Sequence, residues 1–344
     1  FFKQKTAYEI PKRDWSSDVC SSDLGVGVAA PRAQAFSGSL LFGVIAANTV
    51  SPDANQTIRS SGLSTFTVEA DPSQPATLTF GSASRRNFLT TSSTTPNLNG
   101  ATMLYRGTNL GSGTGVAGNA SIVFTTAPTT GTAGYLNAVS GSTAALGTPQ
   151  APVLKGALAD TTATGQGQGF ATYQASTGVR LLNPTTEQTA VSTGAGYTGA
   201  AATDNIRLDL AADEAVTGHS SNTLQIANSS GASRTVTNSG SGLYAANGLL
   251  FSGADPIVLT GGQITGAAQT IGEDVVIHSI NTAGVTIQTP VTNTGTNTPS
   301  RPGWISYNGP GNVRIEGAQT VGQSAVSGTF FGGISFNEIG RAHV

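Results

Sequence analysis

The residues best able to do chemistry fall in two short groups. Asp204, Arg207, Asp209, Asp213 and Glu214 lie close together along the chain, and Glu273, Asp274 and His278 form a second set. Carboxylates at such spacings would bind calcium through several oxygens, or share acid and base roles in sugar hydrolysis. The first group, however, is set among Ala, Gly, Thr and Asn, and reads better as a solvated strand edge and turn. His219 follows Gly218 in a polar turn and His278 ends a strand. A metal or catalytic role for either needs partners that the sequence does not display. No catalytic, cofactor-binding or metal-ligating residue is therefore assigned.

Other signals are weaker. Gly113-Thr114-Gly115-Val116-Ala117-Gly118 has the spacing of a phosphate-binding loop. That loop requires a helix after it, whose N-terminus receives the phosphates, and a strand pattern follows instead. Arg85-Arg86 reads as a solvated turn, and Trp304 as a partly buried anchor rather than a sugar-stacking platform. Asn55, Asn119 and Asn228 each open a glycosylation sequon, which chance explains in a chain this rich in Asn and Ser. No zinc-protease, nucleophile-elbow, P-loop or calcium-nonapeptide motif occurs.

The elements that must position these residues are short and β-branched. Thr223 to Gly317 contains Leu249-Leu250-Phe251, Ile257-Val258-Leu259-Thr260, Val275-Val276-Ile277, Val285-Thr286-Ile287 and Val313-Arg314-Ile315, each closed by Gly, Asn, Ser or Pro. Such runs are strand signals. Upstream, Ser64–Glu69, Ala76–Gly81, Ala101–Gly107, Ala120–Thr125, Phe170–Tyr173 and Val179–Leu182 carry the same signal. Ile206-Arg207-Leu208-Asp209-Leu210 alternates strictly, aliphatic inward and charged outward. Ala127–Thr164 reads as an irregular excursion. An inward face of two or three residues buries too little to offset the entropy of ordering its chain, so such strands must stack on one another. The expected fold is all-β, a β-solenoid. Rungs of roughly 20–25 residues would give about 13 turns and a rod roughly 60 Å long.

The chain carries 16 Lys and Arg against 18 Asp and Glu. That near-balance argues against nucleic acid or an anionic membrane as the main partner. The longest apolar run, Leu40–Ala47, falls well short of a membrane span. The two ends read as foreign. Asp14 to Leu24 back-translates, in one frame, to a stretch resembling a short-read sequencing adapter, Phe2 to Ile10 to its library primer, and Glu338 to Val344 to the adapter's opposite strand. The expected division is thus 1–24 adapter-derived, 25–222 the first part of the stack with loop excursions, 223–337 its regular part, and 338–344 adapter-derived. The only cysteine, Cys20, leaves with the first segment, and a cysteine-free remainder suits a protein that crosses an envelope unfolded.

The residues also carry a resemblance. Thr223-Leu224-Gln225-Ile226, Arg234-Thr235-Val236-Thr237, Gly248-Leu249-Leu250-Phe251-Ser252-Gly253, Pro256–Gly262, Glu273–His278 and Tyr307–Gly317 together resemble the autotransporter-associated β-strand repeat proteins. Asn308 to Gly317 keeps that family's glycines and apolar alternation, with Asn308 and Arg314 departing from its usual basic or small residues. The resemblance implies that the solenoid is a right-handed parallel β-helix, and that the chain is a non-catalytic structural or adhesive passenger of a secreted or surface-displayed bacterial protein. It would be joined to an outer-membrane barrel or sorting anchor, would need no cofactor, and would contact cell-surface, matrix or glycan ligands rather than nucleic acid. The alternative is a β-helix polysaccharide lyase or glycoside hydrolase, which would line one groove with Asp, Glu, Arg or Lys from successive rungs.

Overall fold

A computed structural model describes residues 34–43, 48–50, 57–85, 102–128, 136–137, 143–240, 242–265, 274–293, 304–321, 333–337 and 342–343. The expected segment 1–24, together with Asn55, Arg86 and Glu273, lies outside these residues. The described chain is all-β and built mainly of parallel sheets, with one short helix, Gly194–Gly199.

From Thr189 onward the chain visits three parallel sheets in rotation. The first holds, in spatial order, Thr189–Val191, Asn205–Leu210, Thr223–Asn228, Leu249–Gly253, Val275–Ser279, Trp304–Asn308 and Gly333–Asn337. The second holds Glu214–Val216, Arg234–Asn238, Ile257–Thr260, Val285–Ile287, Val313–Ile315 and Ala342–His343. The third holds His219–Ser221, Leu243–Ala245, Ile264–Thr265, Val291–Asn293 and Gln319–Val321. Sequence order and spatial order coincide in all three, so each strand pairs with its counterpart one pass later.

Register turns the short aliphatic runs into ladders. Ile206, Leu224, Leu249, Ile277 and Tyr307 are successive partners in the first sheet. Val236, Leu259, Ile287 and Ile315 align in the second, and Leu243, Ile264 and Val291 in the third. All of these are at most 5 % exposed and belong to one core. Burying each contributes about 1.5–3 kcal/mol, available only because the neighbouring pass covers it.

The earlier passes have the roughly 20–25 residues expected and the later ones are longer. Register partners are 22 residues apart at Glu214 and Val236 and 25 at Leu224 and Leu249, but 28 at Leu249 and Ile277 and 30 at Ile277 and Tyr307. The third sheet, whose strands of two or three residues carry too little pattern to read, is present in both. Two further expectations need correction. Ala157–Asp160, inside the supposed irregular excursion, is a buried strand pairing with Thr102–Gly107. His219 opens a strand instead of lying in a turn. At the other end, Ala342–His343 pairs in parallel with Val313–Arg314, so a segment read as foreign supplies a strand; backbone pairing makes small demands on side chains.

The first part of the chain forms two facing sheets. One runs Gln34–Gly43, Thr57–Glu69, Thr102–Gly107 and Ala157–Asp160 in parallel, with Ser82–Arg85 beside Thr57–Glu69, so Arg85 ends a strand. The other runs Asn48–Val50, Ala76–Phe80 and Ala120–Phe124, also in parallel. Phe66 stacks on Tyr105 at 5.6 Å, and Phe80, Phe124 and Tyr173 continue the aromatic interior. Here the stacking rule is broken: Gly169–Gln174 and Gly178–Leu181 form an antiparallel hairpin, and Leu136–Asn137 pairs antiparallel with Val153–Leu154. The hairpin ends the aromatic ladder, because the Tyr173 phenol donates to Phe124 O (3.1 Å) and accepts from Phe124 N (3.2 Å).

Leu250 pairs with Gln225 and His278, so these three stand on the outward side of the first sheet, yet all are buried. Leu250 joins Leu104, Ala151, Val153, Leu158, Phe170 and Leu182 in a separate apolar cluster. The earlier sheets thus cover the outside of the first sheet.

Candidate functional site

The acidic group does not converge. Arg207 and Asp209 alternate outward on one strand and pair with each other at 2.8 Å, their side chains 34 % and 44 % exposed. Asp204 accepts from the Thr189 hydroxyl (2.7 Å), Asp213 from the Thr235 backbone amide (2.9 Å), and Glu214 from the Gly194 amide (2.7 Å). Asp204, Asp213 and Glu214 therefore each fasten a different neighbouring segment, and Asp209 pairs within its own strand. Among the described residues no three His, Cys, Asp or Glu side chains are grouped to hold a metal.

The second set behaves similarly. His278 is fully buried, its Nδ1 lying 2.8 Å from the Asn308 amide nitrogen and its ring edge-on to Phe170. Asp274 is buried at the head of the same strand. Neither is open to a substrate. Trp304 is half-buried at the start of its strand, with Gly333 of the next pass so close to the indole that a methyl there would collide with it. Gly113–Gly118 lies between the strands Thr102–Gly107 and Ala120–Phe124, and Gly113 O accepts from Asn119 and Ser121. The side-chain amides of Asn119 and Asn228 are both turned inward to backbone carbonyls, which removes two of the sequons as accessible acceptors.

The polar residues that matter most were not singled out from sequence. Asn205, Asn222 and Asn247 form a buried file at the corner leading into the first sheet. Asn247 donates to Asn222 Oδ1 (2.6 Å), Asn222 to Asn205 Oδ1 (2.7 Å), and Asn205 to Ala151 O (2.8 Å) and Glu187 O (3.2 Å). Asn281 does equivalent work at the next corner, donating to Ser252 O and Asp255 O while accepting from the Ala283 and Gly284 amides. Asparagine suits these corners because one side chain both donates and accepts, so the file satisfies backbone groups that no sheet reaches.

Glu187 is the most strongly held charge. It is 1 % exposed, receives both Arg180 η-nitrogens, and accepts from the amides of Gly147 and Asn183. Burial raises its pKa, but the Arg180 hydrogen bonds, the two amides and the guanidinium charge together outweigh that and hold it below the usual carboxylate range. Burial likewise pushes the Tyr197 and Tyr307 phenols well above their ordinary value. These are fastenings rather than reactive groups.

Compared with known proteins, the chain matches no family model, no curated protein and no solved structure.

Proposed function

We propose that the chain is a non-catalytic structural or adhesive passenger region, exported to the bacterial surface or beyond. Residues 189–321 then constitute turns of a right-handed parallel β-helix, and the autotransporter-like repeats resembled by the sequence are those turns. The observation that carries this reading is the separate engagement of each candidate carboxylate: Asp204, Asp209, Asp213 and Glu214 each hold a different partner, so no acid and base face one another across a shared space. A lyase or hydrolase requires such convergence.

Further support comes from the outward positions of the second and third sheets, where Thr235, Val258, Thr286 and Arg314 align, as do Thr265, Thr292 and Thr320. Such faces offer hydroxyls for broad, shallow contact with glycans or matrix proteins. The purified protein should bind an immobilised glycan or matrix panel without releasing reducing ends or unsaturated uronates from the polysaccharides it binds. Release of either product, abolished by Asp209→Asn or Glu214→Gln, would replace this reading with the enzymatic one.

A further inference from the structure

In the third sheet, His219, Leu243, Ile264, Val291 and Gln319 occupy one ladder. Its middle members are aliphatic and buried in the main core. His219 stands at the end of that ladder, beyond which the sheet has no further strand among the described residues. In place of a strand lies the helix Gly194–Gly199. Tyr197 of that helix is fully buried in the same core, its ring 5.1 Å from the imidazole at 82°, and its phenol donates to His219 O (3.2 Å). The helix is also tied to the second sheet, through Gly194 N to Glu214 Oε2 at 2.7 Å. We propose that His219 is an acid-sensitive latch for this cap, and that protonating its ring unseats Tyr197 and the helix from the end of the stack.

The latch rests on what surrounds the ring. Its Nε2 is buried with no hydrogen-bond partner, while the ring also bonds the backbone of Ala200, the residue that ends the helix. The charged and titratable groups on the elements packed nearby are otherwise engaged. Glu214 takes the Gly194 amide, Asp204 takes the Thr189 hydroxyl, and the Tyr197 phenol is committed to His219 O. Tyr244, on the adjoining strand, is opposite Ser220 and so on the other face of the sheet. His219 as a whole is half-buried, but a proton added at Nε2 sits on a buried nitrogen with no acceptor of its own, and the bond to Ala200 offsets only part of the cost of charging the ring. Burial, opposed by the Ala200 bond, accordingly holds the imidazole below its ordinary pKa.

The element that must yield is weak by itself. A six-residue helix with three glycines has no independent stability; it is held by the Thr193 cap, the Glu214 contact and the buried Tyr197 ring. Because the ring binds its proton less readily in the closed form, closure is fully favoured above the free imidazole value of about 6.5 and weakens as pH falls, by as much as tenfold per pH unit. Opening uncovers the edges of Glu214–Val216 and His219–Ser221, the first strands of the second and third sheets.

Hydrogen exchange read by mass spectrometry on the full chain between pH 7.5 and 5 tests this, comparing wild type with His219→Gln at each pH so that intrinsic exchange chemistry cancels. Exchange of residues 194–200 in wild type should rise relative to the variant as pH falls below about 6.5, by up to tenfold per unit, while Leu249–Gly253 stays protected in both. His219→Leu, which continues the aliphatic ladder, serves in the same way should the glutamine variant not fold. A wild-type profile that stays flat, or one that the non-titrating variant reproduces, overturns the proposal.

Discussion

Arg180 clasps Glu187 with two parallel hydrogen bonds of 2.7 and 2.6 Å, joining the last strand of the antiparallel hairpin to the turn that leads into the three-sheet region. Gly147 and Asn183 complete the carboxylate's partners, so one ion pair ties the hairpin strand to the loop at Gly147 and to the turn before Thr189. Removing the acid alone leaves the largely covered Arg180 guanidinium with the Gln174 and Leu181 oxygens but no counter-charge. Glu187→Gln should cost about 3–5 kcal/mol in urea unfolding. Acid makes the same change reversibly. The folded pKa lies below the unfolded value of about 4.3, so the pair's contribution is complete above that pH and is lost as pH falls through the folded value. Wild-type stability should drop more steeply than that of Glu187→Gln below about pH 4.3; parallel curves would show the pair contributes nothing.

Asn222 is the centre of the buried asparagine file, giving one hydrogen bond to Asn205 and receiving one from Asn247. Asn222→Leu keeps the branched shape but leaves the Asn247 amide without its acceptor, while Asn205 Oδ1 keeps the Thr223 hydroxyl. At about 1–3 kcal/mol for an unsatisfied buried group, it should destabilise by about 1–3 kcal/mol. Asn312, an exposed corner residue, should tolerate the same change with little effect. Equal losses at the two positions would mean the file is not a fastening.

Gly253 and Gly231 separate two demands on glycine. Both have positive φ, +102° and +82°, but a methyl on Gly253 would collide with Asn228 O of the preceding pass, whereas Gly231 faces open space. Gly231→Ala should cost about 1 kcal/mol, from backbone conformation alone. Gly253→Ala should cost at least 2 kcal/mol more, since strain and collision add. Thermal unfolding of the two variants gives the comparison directly, and similar melting temperatures would contradict the close approach of successive passes.

Much of this architecture is legible in the residues. Ile257–Thr260, Val275–Ser279 and Val285–Ile287 are the strands their β-branched runs announce, and Ile206, Leu208 and Leu210 do face inward while Arg207 and Asp209 face out. The third sheet is not legible, because Ile264–Thr265 and His219–Ser221 are too short to alternate. Ala157–Asp160 is hidden for another reason: small residues pack where backbones approach closely, and they carry weak strand preference. The helix Gly194–Gly199 has no helical period and exists because Tyr197 is buried beside His219. The asparagine file was missed because Asn is ordinarily a turn residue, and only register shows that three corners coincide.

Pairing of each strand with its equivalent one pass later is the relationship from which the ladders, the corners and the cap all derive. Val258 and Thr286 are outward-facing register partners in the second sheet, and Arg314 is the next member of their ladder. Neighbouring parallel strands are about 4.8 Å apart, within disulfide reach, whereas alternate strands at about 10 Å are not. With Cys20 replaced by serine, mild oxidation of folded Val258→Cys/Thr286→Cys should form an intramolecular disulfide, and Val258→Cys/Arg314→Cys should remain reduced. A reduced first pair beside an oxidised second pair would contradict the parallel register.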